Sequence, residues 1–296
     1  MPELPEVETI KRGLADKIVD TKITEINILN PKSFQGEIKD VIAQTITAVR
    51  RRAKVLIIDL SNHQSLIFHL KMSGQLILSS SESNSKIPKV VGGHPTKDML
   101  GQMPNKSTRV IFSLSTTNNN PKNYQLYFND QRKFGWVKVI ATDQITQTSW
   151  LKSLGPEPLE SEFTVEILKK QLSRRPKTPI KVALLDQQLI AGIGNIYACE
   201  ACFMSRIDPK KLIKDLTESE IELLHQSIID ALQASIKYGG SSKTNYLNAS
   251  GEKGYFLDVA TVYDRTDQPC RVCQQPISKI KLGGRGTYFC PKCQKT

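Results

Sequence analysis

Apolar residues recur at helical spacing near the start of the chain. Val7, Ile10, Leu14 and Ile18 fall on one face, the period of an amphipathic helix. Pro5 suits its first turn, where no amide hydrogen is required. Glu3, Glu6 and Glu8 lie where the helix dipole favours negative charge. The pattern then shortens. β-Branched runs at 22–28, 45–49, 55–60, 65–70, 109–114, 125–128 and 136–141 are separated by turn residues. This predicts an antiparallel sandwich or barrel rather than a βαβ array.

Between Ser79 and Ser107 the chain turns rich in Ser, Gly and Asn, which predicts a long surface loop. Residues 118–121 predict a hairpin tip. A boundary is expected near Gly155-Pro156-Glu157-Pro158, after which 165–172, 180–185, 195–203 and 218–236 carry helical patterns. Residues 239–254 form another Gly/Ser/Asn-rich stretch, and no internal repeat is present. The expected fold class is α+β and multidomain. Its divisions are a helix plus β-sandwich over 1–150, a basic linker over 151–180, a helical domain over 181–264 and a cysteine module over 265–296.

A chain of 296 residues fits about two domains of ordinary size, so a disulfide-stapled miniprotein is excluded. Hydrophobic residues at 39% and charged residues at 24% exclude a disordered chain. The most apolar run, Val55 to Ile58, is cut by Asp59, and the N-terminus lacks the basic start and apolar core of a signal peptide. We therefore expect a cytoplasmic protein, a monomer, with no membrane partner. Charge changes the picture more. Lys+Arg 41 against Asp+Glu 29 leaves +12, an excess that favours polyanions, nucleic acid above all. It is concentrated in Lys169, Lys170, Arg174, Arg175, Lys177 and Lys181, a stretch without an acid. Such a run repels itself unless a polyanion neutralises it.

Cys270-x2-Cys273 and Cys290-x2-Cys293, sixteen residues apart, match a four-thiolate zinc site. With no open coordination position, one Zn2+ here is expected to be structural, holding the tip Gly283-Gly284-Arg285-Gly286 rigid. Cys199 and Cys202 also form a C-x2-C pair, but inside a helical pattern they read as small buried thiols. At the other end, Pro2 follows the initiator Met, and so small a residue lets aminopeptidase expose it. A free α-amine has a pKa near 7.7–8.0, against about 10.4 for lysine, so part of it is neutral at pH 7. Proline's secondary amine on an aldehyde-like carbon gives an iminium that is cationic without a proton and acidifies the neighbouring C–H. Glu3 beside it is a candidate proton donor.

Met1-Pro2-Glu3-Leu4-Pro5-Glu6-Val7-Glu8-Thr9, Gly192-Ile193-Gly194-Asn195-Ile196-Tyr197-Ala198 and the four-cysteine module together resemble the bacterial formamidopyrimidine-DNA glycosylases. These enzymes remove 8-oxoguanine and formamidopyrimidines from DNA. The resemblance implies an N-terminal β-sandwich, a helix–two-turns–helix DNA-binding domain and a zinc finger. It implies duplex DNA with an oxidised purine or abasic site as partner, and a nucleoid-associated location. It further implies that Pro2 is the Schiff-base nucleophile and Glu3 the general acid. Lys54, within Arg51-Arg52-Ala53-Lys54, would assist β-elimination, and Arg285 would serve δ-elimination and DNA contact. Met72, Arg132 and Phe134 would enter the space left by a flipped base. Lys177 and Asn195 would contact the backbone, the latter beside a helix N-terminus. Residues 241–256 would close over the base. Ser107 stands where the family commonly has a DNA-contacting His.

Two rivals stay open at this point. An endonuclease VIII-like enzyme would prefer oxidised pyrimidines, but its N-terminus typically has Gly where this chain has Leu4. A non-catalytic damaged-DNA-binding paralogue would bind lesions with steep salt dependence and leave them intact.

Overall fold

The structure, a computed structural model, describes residues 1–80, 90–93, 102–117, 121–241 and 255–295. Two compact units emerge: residues 1–152 with 238–255, and residues 153–237 with 256–296. Residues 238–255, expected in the helical domain, therefore group with the first unit. Among the described residues, no helix is long and apolar enough to cross a membrane.

The first unit opens with α1 (Leu4–Ile18). Its predicted apolar face is buried: Val7, Ile10, Leu14 and Ile18 all join the main core. Two five-stranded sheets follow. One runs in the order β1 (Thr21–Ile28), β8 (Thr108–Thr116), β9 (Asn123–Asp130), β6 (Gly74–Ser80), β7 (Val90–Gly93). The other runs β2 (Phe34–Gln35), β10 (Trp136–Ala141), β5 (Gln64–His69), β4 (Val55–Leu60), β3 (Ile46–Arg52). Phe68, Phe112 and Phe128 meet edge to face in the core, with centroids 5.8 and 6.0 Å apart.

Two expectations need correction. The sandwich is not wholly antiparallel, because the short β2 pairs parallel with β10 through Val137↔Phe34 and Lys138↔Gln35. The stretch 79–107 is not one loop either. β6 runs on through Ser80, and 90–93 return beside it as Gln75↔Gly93 to Leu78↔Val90. Serine is compatible with a strand once its amides have a ladder to join, so composition alone misplaced that boundary. Residues 81–89, 94–101, the tip 118–120 and the loop interior 242–254 lie outside the described residues.

The second unit carries the expected helices: α3 (Val165–Leu172), α4 (Ile180–Leu184), α5 (Asn195–Met204) and α6 (Glu218–Lys237). The short α2 (Ser149–Lys152) precedes them and α7 (Phe256–Val259) follows. The cysteine module folds as a hairpin of β11 (Ser278–Leu282) and β12 (Arg285–Phe289). Gly283 and Gly284, with φ +56° and +75°, make the two-residue turn that only such conformational freedom permits. The module shares a core with α5: Cys199, Phe203, Val262, Cys270, Ile277, Tyr288 and Cys290 form one buried cluster. Both thiols of the Cys199/Cys202 pair are buried, as read.

Candidate active site

Pro2 is buried immediately before α1. Glu3 caps the helix in a reciprocal capping box: its side chain accepts the Glu6 backbone N–H, and Glu6 Oε2 accepts the Glu3 N–H at 2.8 Å. This fixes the chain direction at the N-terminus by satisfying helix-end donors. The other oxygen of Glu6 accepts the Ser241 N–H at 2.9 Å and its Oγ–H at 2.8 Å. Ser241 in turn bridges to Tyr255, so the two ends of the Gly/Ser-rich stretch meet beside the start of α1.

Lys54 lies in the β3–β4 turn. Read bare it would be a solvated edge charge, but it is buried at 6% exposure. The turn is shaped by Ala53 at φ +52°, a conformation uncommon outside glycine. Arg51 holds it: Nη1 donates to the Ala53 carbonyl at 3.0 Å and Nε donates to Glu8 on α1 at 3.0 Å. Glu8 also accepts from Lys11 at 3.0 Å and Arg12 at 2.9 Å. Burial alone would raise the Glu8 pKa, but these three cations outweigh it and bring it down to about 2. One carboxylate thus ties the helix behind Pro2 to the turn bearing Lys54.

His69 ends β5 opposite Val55, the residue after Lys54. Its Nδ1 accepts the Lys71 N–H at 3.1 Å, which fixes the ring. Burial, with the charges of Lys71 and Lys54 adding to it, lowers its pKa to about 3. The ring is neutral at physiological pH. Because the folded pKa is depressed, the stability it contributes is complete above pH 6.5 and is lost as pH falls towards 3. Over that window the slope is about 1.4 kcal/mol per pH unit. Glu8 adds a separate loss only below pH 4.5. Urea unfolding from pH 7 to 4 is expected to show this acid limb, and His69→Gln is expected to flatten its upper part. An unchanged limb in that variant would place the titrating group elsewhere.

Met72, half-buried, sits in the β5–β6 turn, and Arg132 and Phe134 sit on the β9–β10 connection. Phe134 is 56% exposed, with the Arg132 guanidinium over its ring at 5.1 Å. Exposure of that size sets Phe134 apart from an ordinary packing residue. The chain closes tightly behind Phe134. A Cβ on Gly135 would come within 2.9 Å of Phe128 and 3.1 Å of Asp130 Oδ2.

Lys177, Asn195 and Arg285 belong to the second unit. Lys177 and Arg285 are exposed, the latter opening β12 beside the Gly-Gly turn. Asn195 differs from expectation. It begins α5, but its side chain is engaged within the protein: Oδ1 accepts from Lys181 Nζ at 2.6 Å and Nδ2 donates to the Gly286 carbonyl at 2.9 Å. The basic run is also less self-repelling than its composition suggested. Lys169 pairs with Glu218, Arg175 with Asp186 at 3.7 Å, and Lys181 is buried. Both acids lie outside the run 169–181, Asp186 just beyond its end and Glu218 far from it, so the run's own composition could not reveal them.

The four Sγ atoms of Cys270, Cys273, Cys290 and Cys293 lie within 4.8 Å of one another. Cys270–Cys293 and Cys273–Cys290 stand 3.9 and 3.4 Å apart. Tetrahedral coordination at about 2.3 Å per bond requires sulfur separations of about 3.8 Å. The cluster fits a zinc ion with all four positions filled by thiolate.

Three family models cover most of the chain. The formamidopyrimidine-DNA glycosylase N-terminal domain matches residues 1–137, the formamidopyrimidine-DNA glycosylase H2TH domain 154–246, and the zinc finger found in FPG and IleRS 267–296. Formamidopyrimidine-DNA glycosylase of Streptococcus mutans is 38% identical over 299 residues, covering 100% of both chains. That of Pelotomaculum thermopropionicum is 40% identical over 300 residues, covering 100% of this chain and 99% of its own. The chain belongs to the formamidopyrimidine-DNA glycosylase family. Its fold also matches a mutant of the Lactococcus lactis enzyme bound to Fapy-dG-containing DNA, with TM-score 0.84, 36% identity and full coverage of both chains. A second Lactococcus lactis structure, bound to abasic-site DNA, matches with TM-score 0.82, 36% identity, covering 99% of this chain and 100% of the other.

Membership in the glycosylase family and the sulfur geometry together establish one structural Zn2+ on the cysteine cluster. Several residues that shape this candidate site are not evident as such from the sequence. By position Glu6 and Glu8 simply suit the helix dipole, yet each reaches a partner far along the chain. Ser73 and Asp130 stand inside the stretches 69–74 and 130–135 that resemble the family's intercalating elements, but the resemblance assigns neither a role. For Glu6 the signal was present: Glu three residues after Glu3 at a helix start is the spacing of a capping box.

Proposed function

We propose that this chain is a bifunctional DNA glycosylase/AP lyase of base excision repair that excises oxidised purines from duplex DNA. The observation that carries this is full-length identity of 38–40% to formamidopyrimidine-DNA glycosylases, with Pro2 buried immediately before α1. With Met1 removed, the Pro2 nitrogen attacks C1′ of the damaged nucleotide. The glycosidic bond breaks, the base leaves with a proton, and Glu3 protonates the sugar ring oxygen as the ring opens. The iminium then draws electrons from C2′–H. Loss of that proton expels the 3′ phosphate, and a second elimination, assisted by Arg285, expels the 5′ phosphate. Lys54 serves the first elimination. Met72, Arg132 and Phe134 fill the space left by the extruded base, offsetting the few kcal/mol of unstacking. Exposed Lys177 and the amides at the start of α5 hold phosphates. Since the Asn195 side chain is engaged internally, its backbone N–H makes that contact.

A duplex with 8-oxoguanine opposite cytosine is expected to be cut to products with phosphate at both ends. Its kcat/KM is expected to exceed that for thymine glycol by about tenfold or more. Equal or reversed preference would favour an oxidised-pyrimidine enzyme. Tight binding without cleavage would favour a non-catalytic binder.

A further inference from the structure

The proposed wedge side chains stand on two separate loops, and one buried carboxylate joins those loops. Asp130, the last residue of β9, is 0% exposed. Its Oδ1 accepts the Ser73 Oγ–H at 2.5 Å and the Arg132 N–H at 3.2 Å, and its Oδ2 accepts the Gly135 N–H at 2.6 Å. Ser73 Oγ also accepts the Arg132 N–H at 3.0 Å. The Asp130 backbone is fixed as well: its carbonyl accepts from Arg109 Nε at 2.8 Å, and its N–H donates to the Ser107 carbonyl at 2.8 Å. Among the described residues, the side chain's donors come from the residue after Met72 and from the segment flanking Phe134. Each of these loops holds a non-glycine residue in the left-handed region, Lys71 at φ +51° and Lys133 at φ +60°. Such conformations persist where surrounding contacts over-determine them.

We propose that Asp130 is a positioning residue for base extrusion: it locks the Met72 turn to the Arg132–Phe134 turn so that the three side chains enter the duplex as one rigid wedge. A buried carboxylate that accepts three hydrogen bonds holds its donors strongly, because the alternative is an unsolvated charge. Arg132 and Phe134 are exposed and Met72 half-buried, while the loops that carry them are pinned from below. Displacing a stacked base requires an element that does not yield. Two independently mobile loops would be pushed aside instead. The inference rests on the wedge assignment made above.

The test compares two substrates in the full-length, zinc-loaded enzyme. For 8-oxoguanine opposite cytosine, a stacked base must be expelled; for a preformed abasic site, none need be. Asp130→Asn is expected to lower kcat/KM on the 8-oxoguanine duplex by about 50-fold. Borohydride trapping on the abasic duplex is expected to fall no more than about threefold. Fluorescence of 2-aminopurine beside the lesion, which brightens on unstacking, should lose amplitude or slow in parallel. Ser73→Ala removes one donor without leaving a buried charge unmatched, and decides the matter if Asp130→Asn does not fold. It is expected to produce the same selective loss at about fivefold. Equal losses on both substrates would make Asp130 a plain fold staple and overturn the proposal. Met72→Ala and Phe134→Ala are assayed alongside. If neither impairs 8-oxoguanine excision, the wedge assignment fails and takes this inference with it. If both impair it while Asp130→Asn and Ser73→Ala do not, the inference alone fails.

Discussion

Enzyme that retains Met1 is expected to form no borohydride-trappable adduct with 8-oxoguanine duplex and to nick it only at background level. Retention converts the Pro2 nitrogen from an amine into an amide, which has no available lone pair for attack on C1′. Pro2→Gly, correctly processed, is a subtler case. It keeps an α-amine, but its imine must be protonated before it can act as an electron sink, whereas the proline iminium is charged from the start. A fall of about 100-fold or more in excision is expected, corresponding to about 2.7 kcal/mol of barrier. The surroundings sharpen this expectation. Pro2 is buried, and the next amide is committed to Glu6, so a substituted N-terminus has little freedom to compensate. Normal trapping by the Met1-retaining form would move the nucleophile to a side chain, with Lys54 the first to test. Intact-mass measurement of each preparation establishes which N-terminus was assayed.

Removing zinc is the second large effect. Cys290→Ser, or prolonged chelation of the wild type, is expected to reduce bound zinc from one per chain to nearly none. Affinity for lesion duplex is expected to drop by about 100-fold or more. Structural zinc sites contribute apparent folding free energies on the order of 10 kcal/mol, more than a small hairpin of two five-residue strands can supply by itself. The damage should also spread. Cys270 and Cys290 pack with Cys199 and Phe203 of α5. Glu200, on the same helix, accepts the N–H groups of Thr261, Val262 and Tyr263 and the Thr261 hydroxyl at 2.5 to 3.0 Å. Loss of metal therefore loosens the anchorage of the chain entering the module as well as the exposed Arg285. Far-UV circular dichroism, zinc content and binding across a salt series read the three consequences. Cys199→Ala serves as the comparison and is expected to keep its metal. Full binding by a zinc-free preparation would contradict the assignment of Arg285 to the DNA surface.

Much of this molecule was legible because its signals are local. Val7, Ile10, Leu14 and Ile18 announce α1 by period alone, and all four are core residues. The Cys270/Cys273 and Cys290/Cys293 spacing announces a metal site because adjacent thiolates must share one ion. The family resemblance added roles that no periodicity could supply. What stayed hidden depends on pairs distant along the chain. Glu8 and Arg51 are 43 residues apart, and Ser73 and Asp130 are 57 apart. Neither residue of either pair carries a mark of its partner until the strands fold. The end of β6 and the whole of β7 were obscured for another reason: Ser79-Ser80 and Gly92-Gly93 read as loop until neighbouring ladders take up their amides. Lys181 is the sharpest case. It lies in a run of cations that looks wholly solvent-facing, yet it is sealed within the fold against Asn195.

That last observation alters how the chain's electrostatics should be counted. Lys54, Arg109 and Lys181 are all buried residues, and the Arg51 side chain is 5% exposed. All contribute to the formal +12 without presenting a hydrated ammonium or guanidinium to the outside. An approaching polyanion displaces ions only from the outward-facing cations, so the effective valence it meets is smaller than the tally of basic letters. Of these, Arg51, Arg109 and Lys181 brace turns and a helix end from inside, and added electrolyte weakens them far less.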